Sequence, residues 1–231
     1  LCEPDKLAND FEDIFGIFRF SGQKILMKAV TEPVKSFIED NYPHMFEYDT
    51  DRYNYDYVYD AESLRSLAGR KMHSKKNHFN GFVKEYQDRF VYKAIEKSEF
   101  EECLRLSDKW AFSREKDRNL IGENLAIKKV LKNADKFGCL KIGGIYIDND
   151  LEAFTFGDLI NSQMAVIHIE KANPDIRGIY SAVNKLFLEN EFPDVEFVNR
   201  EDDLGIEGLR KAKLSYKPLR LVEKYTLTER Q

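Results

Sequence analysis

Three strand-like segments lie back to back near the middle of the chain and narrow the choice of fold more than any other feature. "CLKIGGIYID" (139–148), "LEAFTFGDLI" (151–160) and "MAVIHIEK" (164–171) are rich in β-branched and aromatic residues, and only Asn-Asp and Asn-Ser turns separate them. Connections this short make an antiparallel meander. Helical patterns precede it. Ser98 starts one that carries Phe100, Cys103, Leu104 and Trp110, and a longer one carries Ile127, Val130, Leu131, Ala134 and Phe137 before Gly138 stops it. After the meander come a helix from about Gly178 to Asn190, a strand "VEFVNR", a short helix near 206–214 and a last strand "LRLVEKYTL". Two helices, three antiparallel strands, then helix, strand, helix and strand make an α+β fold with a mixed sheet flanked by helices.

The first part of the chain is read with fewer elements. Thr31 caps a helix to Asn41 with Pro33 in its first turn, "NYDYVYD" (54–60) alternates like a strand, and "RFVYKAI" (89–95) is another. Between them a helix carries Phe79, Phe82, Val83 and Tyr86 at helical spacing. At 231 residues, 42% hydrophobic and 33% charged, the chain can bury one large core or two small ones, as a cytoplasmic protein would. No window holds about 18 consecutive apolar residues, so no transmembrane segment is expected. Cys2, Cys103 and Cys139 are widely and irregularly spaced, which suits reduced thiols and neither a disulfide framework nor a metal site. The chain begins with Leu, which suggests a fragment of something longer.

Charge is unevenly spread within a net of -5. "IEDNYPHMFEYDTDRYNYDYVYDAE" (38–62) is acidic and rich in tyrosine, whereas "GRKMHSKKNHFNGF" (69–82) carries Arg70, Lys71, His73, Lys75, Lys76 and His78 with no acid among them. These groups repel one another unless they lie on a solvated helix face or meet an anion; the second reading makes Lys71, Lys75, Lys76 and His78 candidates for a phosphate-rich ligand. "NREDDLGIEGLRKAKLSYKP" (199–218) is the other polar run. Its acidic turn opens a short helix on which Arg210 and Lys213 stand three apart, a pattern that a helix dipole alone would favour and that a bound anion would also use.

From about residue 95 onward the chain resembles the GNAT (N-acetyltransferase-like) fold. "NREDDLGIEGLRKAKLSYKP" and "YDYVYDAESLRSLAGRKMHSKKNHFNGF" are similar to an uncharacterised bacterial family related to the C-terminal catalytic domain of phosphatidylglycerol lysyltransferases. That resemblance implies two GNAT-type halves in tandem, as in Fem-type peptidyltransferases. Residues 1–95 would be a partial N-terminal half and 96–231 the C-terminal domain.

The activity implied is acyl transfer without a covalent enzyme intermediate, which needs a phosphate cradle, an oxyanion donor and a base. The cradle is sought in "ANPDIRGIYSAVN", where Asp175 caps a helix opened by Arg177 and Gly178, although Tyr180 stands where the acyl-CoA loop of GNAT enzymes has its second glycine. His168 and Glu170, two apart on "AVIHIEK", are the candidate bases, beside the reading that they only satisfy each other. Arg200 ends a strand at the cleft, and Tyr216 matches the late tyrosine that protonates the leaving group in many GNAT enzymes. No cofactor is required. The donor substrate is aminoacyl-tRNA or acyl-CoA, with tRNA or coenzyme A as the partner. The acceptor is an amine or hydroxyl, and a lipid acceptor would bring transient membrane-surface contact. An aminoacyl-tRNA-dependent transferase, an acyl-CoA-dependent N-acetyltransferase and a noncatalytic GNAT-fold binding module are the readings left open.

Overall fold

The computed structural model describes residues 4–112 and 118–230. Cys2 and the side chain of Trp110 lie outside what is described. The chain divides into two compact units, and the division is discontinuous. One takes the chain up to Asp56, then Asp202–Ile206 and the residues from Leu221 on; the other takes Tyr57–Glu201 and Glu207–Arg220.

In the first unit, Pro4–Ser21 (α1) and Glu32–Asn41 (α2) accompany a three-stranded antiparallel sheet of Leu26–Thr31 (β1), Lys224–Glu229 (β10) and Phe46–Thr50 (β2), with β10 in the middle. Phe11, Phe15, Ile25, Val30, Ile38, Phe46 and Leu227 form its core. The Phe15 ring packs on Phe11, Tyr42 and Phe46 at 5.0–5.7 Å between centroids. The acidic turn of the "NREDDLG" run is built into this unit. Asp203 is fully buried, accepts the Gly205 N–H at 3.0 Å and faces Arg52 Nη1 at 3.4 Å, while Lys224 Nζ bridges Asp56 (2.6 Å) and Asp202 (3.4 Å). Buried carboxylates persist only when paired in this way.

The second unit is built on a seven-stranded mixed sheet, of whose last strand it holds Arg220. Its order is Phe90–Ala94 (β4), Lys141–Ile147 (β5), Asp150–Asn161 (β6), Met164–Ala172 (β7), Phe197–Asn199 (β8), Asp56–Asp60 (β3) and Arg220–Val222 (β9). β4 to β7 run antiparallel, β7 and β8 are parallel, and β8 and β3 antiparallel. Both faces are covered, so β5 is apolar along almost its whole length. Ile142, Tyr146, Phe154 and Phe156 pack with Cys103, Leu106, Ile127 and Leu131 from Phe100–Phe112 (α5) and Arg118–Lys132 (α6). On the alternate positions, Ile145, Ile147 and Ala153 pack with Phe82 of His73–Tyr86 (α4) and Ile179, Ala182 and Val183 of Ile179–Glu191 (α7). Ala61–Ser66 (α3), capped by the Asp60 carboxylate, and Glu207–Ser215 (α8) complete the unit.

Several elements differ from the sequence reading. The helical run ending at Gly138 stops at Lys132, with a 3-10 turn over Ala134–Lys136. Glu96 and Glu99 form the capping box ahead of α5, the place expected of Ser98. "LRLVEKYTL" is two strands, β9 and β10, in different sheets. The expected boundary at 95/96 does not coincide with the observed units, because β4 pairs with β5 from Phe90↔Ile147 to Ala94↔Gly143 and β3 pairs with β8. Those ladders join residues 57–94 to the later sheet.

Candidate functional site

The site begins where two parallel strands stop pairing. β7 and β8 are paired at Met164↔Phe197, Ala165↔Val198 and Val166↔Asn199; β7 then runs on to Ala172 with β6 as its neighbour. Beyond the last pair, Glu170 of β7 and Arg200, the first residue after β8, form an ion pair between side chains only 13% and 12% exposed. Asn184 of α7 donates its amide to the other Glu170 oxygen at 3.1 Å. Charge-assisted bonds of this kind are the strong ones, so both Glu170 oxygens are engaged.

Aromatic rings and a second cation surround the pair. The Arg200 guanidinium lies 4.7 Å from the Tyr216 ring centroid and 5.7 Å from that of Tyr59. Lys75 Nζ lies 4.0 Å from the same Tyr216 ring. Tyr216 is buried, with its hydroxyl 3.5 Å from Ser181 Oγ. Lys213 holds the backbone at Arg200. Its Nζ donates to the backbone carbonyls of Arg200 and Glu201, and its own carbonyl accepts the Tyr59 hydroxyl at 3.0 Å. Lys213, expected from the sequence beside a phosphate, is thus a buried side chain that holds two backbone carbonyls.

Burial sets the electrostatics. It pushes the Lys75 ammonium down to about 8, with Arg200 adding repulsion and Glu170 working the other way. Burial also raises the Tyr59 and Tyr216 hydroxyls, which keep their protons. Arg200 is buried against its charge, and Glu170 and the two tyrosines hold it protonated. Its Nε and Nη1 and the Asn184 Oδ1 are buried without a hydrogen bond among the described residues.

His168 belongs to a different cluster. β7 bulges here: Ile169 pairs with Phe156 and Ile167 with Gly157, so His168 has no partner across in β6 and the two-residue alternation expected to align it with Glu170 is interrupted. Its Nδ1 meets Glu201 at 2.7 Å and its Nε2 faces Asp158 at 3.5 Å. The Glu201 hydrogen bond raises its pKa against the effect of burial, and Asp158 adds to the rise.

Of the other sequence candidates, Lys71, Lys76 and Arg177 are exposed and Arg210 is half-buried on α8. The N-cap of α7 is Gly178, in the left-handed region at φ 85°, and not Asp175. A Cβ on Gly178 would stand 2.2 Å from the His78 carbonyl, so the glycine is what lets α7 meet α4 backbone to backbone. Lys75, Glu170, Arg200 and Tyr216 are therefore the residues that the fold brings together. Tyr59, Ser181 and Asn184 join them and are not among the residues that sequence reasoning selects. Asn184 and Ser181 leave one signal, as polar residues within the apolar run "IYSAVNKLFL". Among the described residues, no group of three or more His, Cys, Asp or Glu is arranged to hold a metal ion, and no helix is long and apolar enough to cross a membrane.

The chain is similar to several known proteins. A conserved protein of unknown function from Bacteroides thetaiotaomicron VPI-5482 is 32% identical, with a TM-score of 0.89 over 96% of this chain and 75% of that one. The C-terminal domain (DUF2156) of a putative lysylphosphatidylglycerol synthetase from Agrobacterium fabrum shares the fold at a TM-score of 0.68 and 14% identity, over 96% and 74% of the two chains. An uncharacterised protein of Mycoplasmoides gallisepticum is 24% identical over 169 residues, 73% of this chain; the chain spans about half (54%) of that relative's length. The fold is the GNAT-like mixed sheet flanked by helices. A family model described as "Phosphatidylglycerol lysyltransferase, C-terminal" matches residues 1–228, and the chain belongs to that family.

Proposed function

We propose that the chain is an acyltransferase that passes an aminoacyl group from aminoacyl-tRNA to an amine or hydroxyl acceptor. The observation that carries the reading is the meeting of Lys75 and Arg200 on the Tyr216 ring with Glu170 as the paired carboxylate. Two cations against one anion favour a substrate that arrives on a polyanion. Family membership supports acyl transfer as the reaction class. With both substrates held in line, orientation supplies much of the barrier reduction, on the order of 7–11 kcal/mol in well-aligned cases. Tyr180 at the second glycine position of the acyl-CoA loop, and a Gly178 occupied in packing against α4, favour the tRNA-borne donor over acyl-CoA.

The test is to incubate the chain with aminoacyl-tRNA, and separately with acyl-CoA, in the presence of phosphatidylglycerol vesicles or a soluble amine, and to follow loss of the activated acyl bond and its appearance on the acceptor. Transfer from aminoacyl-tRNA that is lost in Lys75→Gln supports the reading. Transfer from acyl-CoA alone replaces the donor. Tight binding of either donor without turnover makes the chain a binding module.

A further inference from the structure

We propose that Lys75 is the proton carrier of this transfer, taking the acceptor's proton and handing it to the departing oxygen. The inference rests on the acyl-transfer reading above and deepens it. The reaction forms a bond between the acceptor nitrogen or oxygen and the carbonyl carbon, and breaks the bond from that carbon to the ribose oxygen of the donor. The acceptor must lose one proton and the ribose oxygen must gain one. A neutral amine that becomes ammonium and then returns to amine balances both steps without a further reactant.

The groups around the Glu170–Arg200 pair differ in their freedom to do this. Glu170, the base suggested by the strand pattern, has one oxygen on Arg200 and the other on Asn184. Arg200 stays protonated beside it. The Tyr59 hydroxyl is spent on the Lys213 carbonyl, and the Tyr216 hydroxyl is buried beside Ser181. Lys75 is the exception. Its half-buried amine rests on the Tyr216 ring, and no carboxylate among the described residues lies within ion-pair distance of it. Arg200 from the end of β8, Glu170 from β7 and Tyr216 from beyond α8 are the charged and titratable groups that face it. The balance of burial and Arg200 against Glu170 brings its amine to about 8, where both protonation states are populated near neutrality.

Two experiments on the full chain test this. The first needs no substrate: pulse labelling with acetic anhydride, read by peptide mass spectrometry, compares Lys75 with the exposed Lys84 of the same helix. Lys75 is expected to label about tenfold faster at pH ~7.5, with a rate that levels off above about pH 8. The second uses Lys75→Arg, which retains a cation but not a titrating amine. Turnover from aminoacyl-tRNA should fall by about 100-fold or more while binding of the charged tRNA changes by about twofold or less. Labelling of Lys75 no faster than Lys84, or near-wild-type turnover in Lys75→Arg, overturns the proposal and leaves the acyl-transfer reading intact. If the wild-type chain transfers nothing from either donor, the functional reading falls and this inference falls with it.

Discussion

Arg200 and Glu170 form their ion pair just beyond the point where β7 and β8 cease to pair, and the two side chains are 12% and 13% exposed. The pair substitutes for the missing backbone ladder. Removing the carboxylate alone would leave a guanidinium desolvated, with Nε and Nη1 already without a hydrogen bond among the described residues. Glu170→Ala is accordingly expected to destabilise the second unit by about 3–5 kcal/mol. Glu170→Gln, which keeps an acceptor for Asn184, should cost less. Urea denaturation combined with amide hydrogen exchange on β7 checks both; an unchanged exchange pattern in Glu170→Ala would mean that the pair does not hold the strands.

Tyr216 supplies a ring to two cations, and its hydroxyl lies 3.5 Å from Ser181 Oγ. The ring and the hydroxyl can therefore be separated. Tyr216→Phe should lose about 1 kcal/mol or less and keep turnover within about threefold. Tyr216→Leu forfeits two cation–ring contacts, each worth about 0.5–2 kcal/mol, and should lower thermal stability and turnover together. A collapse of turnover in Tyr216→Phe at unchanged stability would instead make the hydroxyl the proton donor to the leaving group.

What the sequence reveals follows the range of the forces involved. The meander of β5, β6 and β7 is legible because two short turns force neighbours to pair, and α7 because its apolar residues recur at helical spacing. α1, β1 and β2 escape a pattern reading: β1 and β2 are short, largely exposed strands on either side of β10, a partner about 200 residues away in the chain. The same long range splits "LRLVEKYTL" between two sheets. Glu170, Arg200, Tyr216 and Lys75 are visible as chemistry-bearing residue types, yet Lys213 looks identical to its surface neighbour Lys211 in sequence. Lys213 is buried on two backbone carbonyls, whereas Lys211 makes an exposed pair with Glu207 at 2.6 Å. Only tertiary placement separates a clamp from a solvated charge.

His168 gives the second unit a pH dependence whose sign can be worked out. Its pKa is raised above the ordinary 6.5, first by the Glu201 hydrogen bond and against burial, with Asp158 adding to the rise. A raised histidine stabilises fully below 6.5, and the contribution is lost as pH climbs through the folded value. The difference in stability between the wild type and His168→Gln should therefore shrink as pH rises from about 6 to 8. Urea midpoints at those pH values, with the imidazole followed by NMR, check the trend. A difference that grows with pH would show that the neutral ring is the bound form.

Two glycines offer the sharpest contrast in backbone tolerance. Gly178 sits at φ 85°, and an added Cβ would meet the His78 carbonyl at 2.2 Å and Phe82 Cβ at 3.1 Å. Neither neighbour can yield easily, since one is the backbone of α4 and the other the Cβ of a fully buried ring. Gly208, inside α8, has an ordinary helical backbone and, among the described residues, nothing within 4 Å of the place a Cβ would take. Gly178→Ala should cost more than about 3 kcal/mol, combining left-handed strain with a collision that moves α4 and hence Lys75. Gly208→Ala should stabilise by about 0.4–1 kcal/mol, because alanine restricts the unfolded chain at no steric cost in a helix. Thermal melts of the two variants decide the matter: equal midpoints would mean that α7 can pull back from α4 without loss, and the close approach of α4, which carries Lys75 to the Tyr216 ring, would not be fixed by Gly178.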